Sequence, residues 1–422
     1  MPELQKFTPG VYLPWEEALV KERLDIAAGR KAPPPPPPFL LMPPRPLDER
    51  EIIDFNRRWN RYDPLYTDPD YARAHGHPSC PAMPGFMAMF PMMLIPQFPK
   101  NIASKFYYTM DRNDILYERN VYAGDALGHG KESAFMNELT LPGGEARVWE
   151  MGGVGETVDA DGKLIFTTKG NVLEAYSMFT DGTPPMDFSK NMAEWVDYFP
   201  PAHVTTDADY ERMRQLWAQE RVMGDDTPCW EDVAVGDFLP VTCSDGPITY
   251  IHMMYWHPIG DLSIYSREEL FDPQMRATTF RDRYGAFLDE TALHFSGRNI
   301  PGMRGVSYND TIARIVARTL TNFVGTRGRV SRFGWGLFPF FRELRVRPID
   351  EDMLAKVPGY EGRGCERHGA EGDTVIGKAC ITGKYINAKG EHCCEVALWA
   401  ETLDGEIIQT CPSEIVLPAR GE

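Results

Sequence analysis

The segment NDTIARIVARTLTNFVG occupies residues 309–325, and its apolar side chains recur every three or four positions. This spacing places them on one face of an α-helix. Asn309 or Asp310 can cap the first turn, and Gly325 follows the last apolar residue as a stop signal. The segment therefore predicts a helix over about residues 310–322. Its buried stripe consists of Ile312, Ile315, Val316, Leu320 and Phe323.

Turn signals that contain glycine follow this helix and separate short extended segments. They lie at Gly372-Asp373, Lys389-Gly390 and Asp404-Gly405, and a similar series lies at Gly124-Asp125, Pro142-Gly143-Gly144 and Asp161-Gly162. The first glycine and the hairpin glycine are 20 residues apart in the first series (124 to 144) and 18 apart in the second (372 to 390). Regular turns between short extended segments predict antiparallel sheets, and their recurrence predicts a duplicated unit. Two such sheets can pair edge to edge, which removes exposed edges.

A second apolar segment with helical spacing, which runs through Phe86, Met89, Phe90 and Met93, precedes the first series of turns. The order is therefore a helix followed by an antiparallel sheet, twice, which indicates an α+β protein. A capping-box pattern at residues 48–51 marks the start of the globular part.

The chain divides into four regions on these patterns. Six consecutive prolines at residues 33–38 form a stiff segment, so residues 1–47 are interpreted as a proline-rich N-terminal arm. The two helix-and-sheet units and their connection follow this arm. They are assigned to residues 48–190, a linker at 191–224, and residues 225–420.

The composition excludes several classes of function. The chain has 422 residues, with 44 Lys and Arg against 61 Asp and Glu, and therefore a net charge of −17. Such an acidic chain is not expected to bind nucleic acid or anionic lipid by charge. The most apolar stretch, residues 86–95, is short and is interrupted by Pro91, so no membrane span is expected. Without a secretory signal or a disulfide pattern, the expected location is the cytoplasm.

The segment DPLYTDPDYAR at residues 63–73, with PAMPGF at 81–86, resembles the hydratase segment of MaoC-like acyl-CoA dehydratases. That segment usually has the form Gly-Asp-x-Asn-Pro-x-His-x-Asp, then Tyr-Ala-Arg and a glycine that opens the central helix. The second half is similar to the same family at residues 230–237 and at Gly260-Asp261, 24 residues after Gly236. The resemblance covers residues 48 to 420. It implies a tandem, or double, hot dog fold, in which each long helix is wrapped by a curved antiparallel sheet.

The departures from the family pattern lie in its catalytic positions. Arg61 stands where the family has Asp, and Tyr66 stands where it has His. The resemblance therefore implies that the first hot dog is catalytically degenerate and binds the acyl tail, while the second holds the chemistry.

Hydration of an α,β-unsaturated thioester requires acid–base groups for water and for the α carbon, and donors for the enolate-like oxygen. Four candidates for the acid–base groups lie in the second half, in two pairs. His257 and Asp261 are four residues apart and can share one face of a helical turn, and Asp282 with His294 is the alternative pair. A capped strand end followed by a turn is the competing interpretation of His257 and Asp261.

Candidates for substrate binding are more widely spaced. Backbone N–H groups at Gly302 or Gly305 could hold the thioester oxygen, and the alternative is that these glycines only form a turn. The Tyr66 hydroxyl could donate a hydrogen bond to the substrate, and the alternative is that Tyr66 only packs against other aromatic residues. Three arginines after the helix could contact the phosphates of coenzyme A, or could balance acids on a strand face. They are Arg327, Arg329 and Arg332.

The resemblance and these residues together predict a homodimeric hydratase or dehydratase that acts on an acyl-CoA thioester, with a bulky or aromatic acyl group as the candidate substituent. The alternatives are a non-catalytic acyl-CoA-binding subunit, or a thioesterase or isomerase on the same fold. No cofactor is expected apart from the coenzyme A of the substrate. Zinc-type ligands occur in Cys365-x-x-His368 with His392-Cys393-Cys394, and in His75-x-His77-x-x-Cys80. The spacing between the first two clusters matches no familiar closed site, so no metal is expected.

Overall fold

The computed structural model describes residues 14–32, 45–86, 107–140, 146–179, 203–249, 280–281, 287–288, 309–336, 351–367 and 369–421. The helices of these ranges are α1 (Pro14–Ala27), α2 (Glu49–Trp59), α3 (Pro64–Thr67), α4 (Pro69–Ala74), α5 (Asp207–Trp217), α6 (Asn309–Val324) and α7 (Glu351–Leu354). Their strands are β1 (Tyr107–Tyr117), β2 (Gly128–Thr140), β3 (Ala146–Val158), β4 (Leu164–Phe179), β5 (Thr242–Cys243), β6 (Phe280–Arg281), β7 (Phe287–Leu288), β8 (Arg329–Gly336), β9 (Ile376–Ile386), β10 (His392–Glu401) and β11 (Ile407–Val416).

Nine of these strands form one antiparallel sheet, in the order β2-β3-β4-β1-β8-β11-β10-β9-β5. The strands β1–β4 and the strands β8–β11 have the same order within their halves, with the first strand next to the fourth, then the third and the second. Strands β1 and β8 join the halves at the centre, from the pair Arg112–Gly336 to the pair Leu116–Arg332. The antiparallel sheets and their edge-to-edge pairing are therefore as the turn pattern predicts.

The predicted turns occur between these strands where the structure describes them. Gly162, Gly390 and Gly405 each have a positive φ and connect β3 to β4, β9 to β10 and β10 to β11. Gly144 lies outside the described residues. Glycine suits these tight turns because it adopts a positive φ without a steric penalty.

Helix α6 confirms the prediction of a long helix at residues 310–322 and extends it by a few residues. Every residue from 311 to 326 is buried, whereas the sequence predicted a single buried stripe. The reason is that α6 packs on β8–β11 with one side, while α2 and the turn at residues 224–226 cover others. Its counterpart in the first half, predicted to start near Phe86, lies outside the described residues beyond that position.

The end of α6 depends on Gly325, which has a φ of +57°. A Cβ on this residue would lie 2.2 Å from Thr227 Oγ1 and 2.3 Å from the Gly224 carbonyl oxygen. We expect Gly325→Ala to lower the free energy of unfolding by about 2–4 kcal/mol, because conformational strain and a backbone clash add. At Gly390 an added Cβ would meet no atom within 4 Å, so we expect Gly390→Ala to lower the free energy of unfolding by only about 1 kcal/mol. Urea unfolding measures the free energy of unfolding of both variants. Equal losses in the two variants would contradict the clash at Gly325.

The capping box that was predicted at residues 48–51 opens α2. The Arg50 N–H donates to Asp48 Oδ1 (2.7 Å), and the Asp48 N–H donates to Glu51 Oε2 (3.2 Å). The helix buries Ile52, Ile53, Asn56 and Trp59. Its last residue is followed by Asn60, which leads into the segment that resembles the hydratase motif.

Two helices lie in regions that the sequence assigned to the arm and the linker. Helix α1 of the arm lies against β2, and α5 of residues 191–224 packs against β5. Met213 of α5 is buried together with Cys243 and Ile376. Among the described residues, no helix combines the length and the apolar run needed to cross a membrane.

Both halves of the sheet share one hydrophobic core. Ile115 and Phe166 of the first half belong to the same buried cluster as Val330, Phe333 and Ile415 of the second. This shared core places the end of β1 beside the start of β8, which is where the candidate site lies.

Candidate functional site

The segment that resembles the hydratase motif forms two short helices, each opened by an aspartate followed by a proline. Asp63 Oδ1 accepts the Leu65 N–H (3.0 Å) at the start of α3, and Asp68 caps α4 in the same way. An aspartate at the N-cap with proline at the first helical position is a common way to begin a helix. This local structure holds Tyr66 in α3, one turn from Asp63, where its side chain is buried.

Asp63 is a buried carboxyl group that lacks a charged partner among the described residues. Its residue is 1% exposed, and no described group hydrogen-bonds to its second oxygen, Oδ2. Burial raises the pKa of Asp63 to about 6, against the smaller lowering effect of the Leu65 N–H. A carboxyl group with such a pKa can exchange a proton near neutral pH, which is typical of a general acid or base.

A small pocket with a cavity volume of about 10 Å³ lies beside Tyr66. Its lining comes from both halves of the molecule and combines apolar residues with two tyrosines and an asparagine. The lining residues are Tyr66, Ala82, Met83, Pro84, Phe86, Tyr117, Asn120, Val121 and Val330. A cavity of this volume has room for about one water molecule.

The two tyrosines of the pocket are neutral hydrogen-bonding groups. The Tyr117 hydroxyl accepts the Gly85 N–H (2.9 Å), and burial raises the pKa of Tyr117 well above its usual value. Burial, followed by the nearby charges of Asp63 and Tyr122, raises the pKa of Tyr66 in the same direction. Both phenols therefore keep their protons at neutral pH and can donate to an oxygen atom in the pocket.

Asn120 is the third polar residue of the pocket, and a chain of hydrogen bonds connects it to the end of α6. Asn120 Nδ2 contacts the Tyr122 hydroxyl at 3.2 Å, and this hydroxyl contacts His77 Nδ1 at 2.9 Å. His77 Nε2 in turn contacts the carbonyl oxygen of Thr326 at 2.9 Å. The orientation of Asn120 is thus set by residues from three separate parts of the chain.

Arg61, at the position where the family has Asp, lies in an ion-pair network instead of the pocket. Its Nε lies 3.2 Å from Asp245 Oδ2. Asp245 also pairs with the buried Arg318 of α6 at 2.9 Å, and Arg318 Nε lies 2.8 Å from Glu220 Oε1. This network fastens the segment to α6, together with the bond from Asn60 to the α6 residue Asn322.

The structure does not bring the three predicted arginines together in one basic site. Arg329 pairs with Glu391 and donates to the Tyr117 carbonyl oxygen (3.2 Å), while Arg332 makes a two-pronged pair with Asp114. Arg327 is exposed and donates to the Thr227 carbonyl oxygen (3.1 Å). The acid partners of Arg329 and Arg332 favour the alternative interpretation, in which these arginines balance acids on a strand.

Of the other predicted site residues, Tyr66 lines the pocket, as described above. The remaining six lie outside the described residues. They are His257, Asp261, Asp282, His294, Gly302 and Gly305. In the part of the chain that the structure describes, no three His, Cys, Asp or Glu side chains form a group that could hold a metal ion.

The sequence analysis did not identify Asp63, Tyr117 or Asn120 as site residues. Aligning Tyr66 with the family histidine puts Asp63 at the family asparagine, and this substitution was a signal for it. Tyr117 and Asn120 are separated from Tyr66 by about 50 residues, and no local pattern marks them. His77 was considered only as a zinc-type ligand, whereas both of its ring nitrogens are used in hydrogen bonds.

Comparison with known proteins finds similarity at the level of solved structures. A MaoC-like dehydratase matches with 15% identity and a TM-score of 0.48 over 89% of this chain and 96% of that chain. A conserved hypothetical protein from Mycobacterium tuberculosis with a double hot dog fold matches with 12% identity and a TM-score of 0.38, covering 87% of this chain and 90% of that one. A putative oleoyl thioesterase from Lactobacillus plantarum matches with 9% identity and a TM-score of 0.30, covering 84% and 86%.

The structures to which this chain is similar thus include MaoC-like dehydratases, the family that the sequence resembles. No family model matches the chain, and no curated protein matches it in sequence. Because these identities and TM-scores are low, the similarities leave the reaction and the substrate to be argued from the chain's own residues.

Proposed function

We propose that this chain is a double hot dog protein that adds water to, or removes it from, the acyl part of an acyl-CoA thioester. The equal strand order of β1–β4 and β8–β11, and the packing of α6 against β8–β11, support two hot dog units at residues 48–190 and 225–420. The resemblance of residues 63–73 to the MaoC-like hydratase segment supports the reaction class.

The observation that carries the proposal is the buried carboxyl group of Asp63, whose charge helps to raise the pKa of Tyr66, a residue that lines the pocket with Tyr117 and Asn120. A carboxyl with a pKa of about 6 has the acid–base property that hydration requires. The two neutral phenols have the hydrogen-bond donors that the enolate-like thioester oxygen requires.

In the proposed hydration, the Asp63 carboxylate accepts a proton from water while the water oxygen forms a bond to the β carbon. The π electrons move towards the α carbon and the thioester oxygen, where the hydroxyls of Tyr66 and Tyr117 stabilise the negative charge. Asp63 then returns the proton to the α carbon. Dehydration follows the same steps in reverse.

This mechanism places the chemistry in the first half, whereas the sequence analysis placed it in the second. His257 with Asp261, or Asp282 with His294, therefore remains a proposal for a second acid–base site. Contact of the coenzyme A phosphates with Arg327, and assembly as a homodimer, also remain proposals. The acid partners of Arg329 and Arg332 argue against those two arginines as phosphate ligands.

The test is an assay of the purified chain with a panel of enoyl-CoA thioesters. We expect the absorbance of the conjugated double bond to fall as 3-hydroxyacyl-CoA forms. Release of free thiol instead would support a thioesterase, and binding without turnover would support a non-catalytic acyl-CoA-binding subunit. Either result would overturn the proposed reaction.

A further inference from the structure

The hydrogen-bond chain from Thr326 to Asn120 has only one consistent arrangement of protons when His77 is neutral. A carbonyl oxygen can only accept, so His77 Nε2 carries the proton that is donated to Thr326. Nδ1 of a neutral imidazole is then an acceptor, so the Tyr122 hydroxyl donates to it. The Tyr122 oxygen is left to accept, which requires the amide nitrogen of Asn120 as the donor.

This arrangement fixes which way round the Asn120 amide lies. With Nδ2 held by Tyr122, the carbonyl oxygen Oδ1 is the end that is not used in the chain. Within the described ranges, no group donates a hydrogen bond to Asn120 Oδ1. Asn120 lines the pocket together with Tyr66 and Tyr117, so Oδ1 is the Asn120 side-chain atom left to accept a hydrogen bond from a bound group.

A set of two donors and one acceptor matches a carbonyl oxygen with a hydroxyl group nearby. A 3-hydroxyacyl thioester carries both groups two carbons apart. The hydroxyls of Tyr66 and Tyr117 can donate to its carbonyl oxygen, and Asn120 Oδ1 can accept a hydrogen bond from its 3-hydroxyl group. A saturated acyl thioester has the same carbonyl group and the same chain, but it has no proton to donate to an acceptor.

We propose that Asn120 determines specificity for a 3-hydroxyacyl thioester by accepting a hydrogen bond from the 3-hydroxyl group, and that Tyr122 and His77 are positioning residues. This inference rests on the proposed function, since it assigns a role within the same pocket. It adds the substrate group that Asn120 selects and the residues that orient Asn120.

The experiment compares the equilibrium affinities of two probes, 3-hydroxyhexanoyl-CoA and hexanoyl-CoA, for the full chain by calorimetry. We expect the native chain to bind the hydroxylated probe about 3- to 10-fold more tightly, the range for one hydrogen bond. Asn120→Ala should reduce this ratio to about one. Tyr122→Phe should reduce it to about 2-fold, because the amide can then turn over. Tyr210→Phe, at a half-exposed tyrosine of α5, is the matched control and should keep the full ratio.

Two substitutions of His77 separate positioning from general loss of structure. His77→Asn keeps an acceptor for the Tyr122 hydroxyl and should retain the preference for the hydroxylated probe, whereas His77→Leu removes the acceptor and should lower it. A loss of structure would weaken the binding of both probes equally and leave their ratio unchanged.

The outcomes distinguish this inference from the proposed function. If Asn120→Ala retains the full preference while enoyl-CoA hydration proceeds, the role of Asn120 is overturned and the proposed function stands. If neither probe binds to the native chain, both are overturned.

Discussion

Asp63→Asn is expected to reduce the rate of enoyl-CoA hydration by about 10²- to 10⁴-fold, the range for loss of a general acid–base group. Asparagine keeps the oxygen that accepts the Leu65 N–H, so the start of α3 is preserved. It cannot carry a proton between water and the α carbon. The loss should therefore appear in kcat, with little change in KM.

The matched control for this substitution is Asp70→Asn. Asp70 belongs to the same segment, but its side chain is 97% exposed and pairs only with Arg73 at 3.4 Å. We expect this variant to keep the native rate. If Asp63→Asn is also fully active while Asp261→Asn is inactive, the chemistry belongs to the second half, as the sequence analysis expected.

The same substitution is expected to make the protein more stable at alkaline pH. The pKa of Asp63 is about 6 in the folded chain, against an ordinary value of 3.8, so the native state binds this proton more tightly than the unfolded state does. Stability from this group is full at low pH and is lost as pH rises towards 6. Asp63→Asn avoids this loss, which is worth up to about 3 kcal/mol above pH 6. Urea unfolding of the variant and the native chain at pH 4 and pH 8 measures this effect. An equal stability difference at both values of pH would show that it does not arise from ionisation of Asp63.

Features that depend on local spacing could be predicted from the sequence. The apolar period of residues 310–322 gave the position of α6, and the glycines at 162, 390 and 405 gave the turns that connect β3 to β4, β9 to β10 and β10 to β11. The capping box at Asp48 was correct because both of its partners lie within four residues. The edge-to-edge pairing could be predicted because each of two similar sheets has an edge strand whose backbone N–H and C=O groups need partners.

The candidate site could not be predicted because its properties depend on distant residues. The pKa of Asp63 is high because tertiary packing buries its carboxyl without a partner, and nothing within α3 indicates this. Val330 reaches the pocket only because β1 and β8 pair across the centre of the sheet. Arg332 looked available for a phosphate because Asp114, its partner, is more than 200 residues away in the sequence.

Arg318 illustrates the same dependence within α6, because it is buried although it lies outside the buried stripe that the sequence predicted. Its guanidinium group is buried and contacts Glu220 at 2.8 Å, Asp245 at 2.9 Å and the Cys243 carbonyl oxygen. Burial raises the pKa of Glu220, while Arg318 and Asn322 favour its charged form. This pairing compensates the charge that Arg318 brings into the buried helix.

We expect Arg318→Ala to lower the free energy of unfolding by about 3–5 kcal/mol at pH 8, because it leaves Glu220 buried without its partner. The loss should be smaller at pH 5. Burial already raises the pKa of Glu220, and removal of Arg318 raises it further, so in the variant a larger fraction of the group is protonated and uncharged at pH 5 than at pH 8. Urea unfolding of the variant and the native chain at both values of pH measures the difference.

Arg214→Ala is the control for Arg318→Ala, since Arg214 also pairs with a glutamate but its side chain is 74% exposed. An exposed pair of this kind contributes less than about 1 kcal/mol, with little dependence on pH in this range. Replacement of both buried partners, in Arg318→Met with Glu220→Leu, should recover most of the stability, since no unpaired carboxylate remains at that position. If the single and the double variant are equally unstable at pH 8, the loss of stability arises from lost packing around α6 and not from the unpaired Glu220 carboxylate.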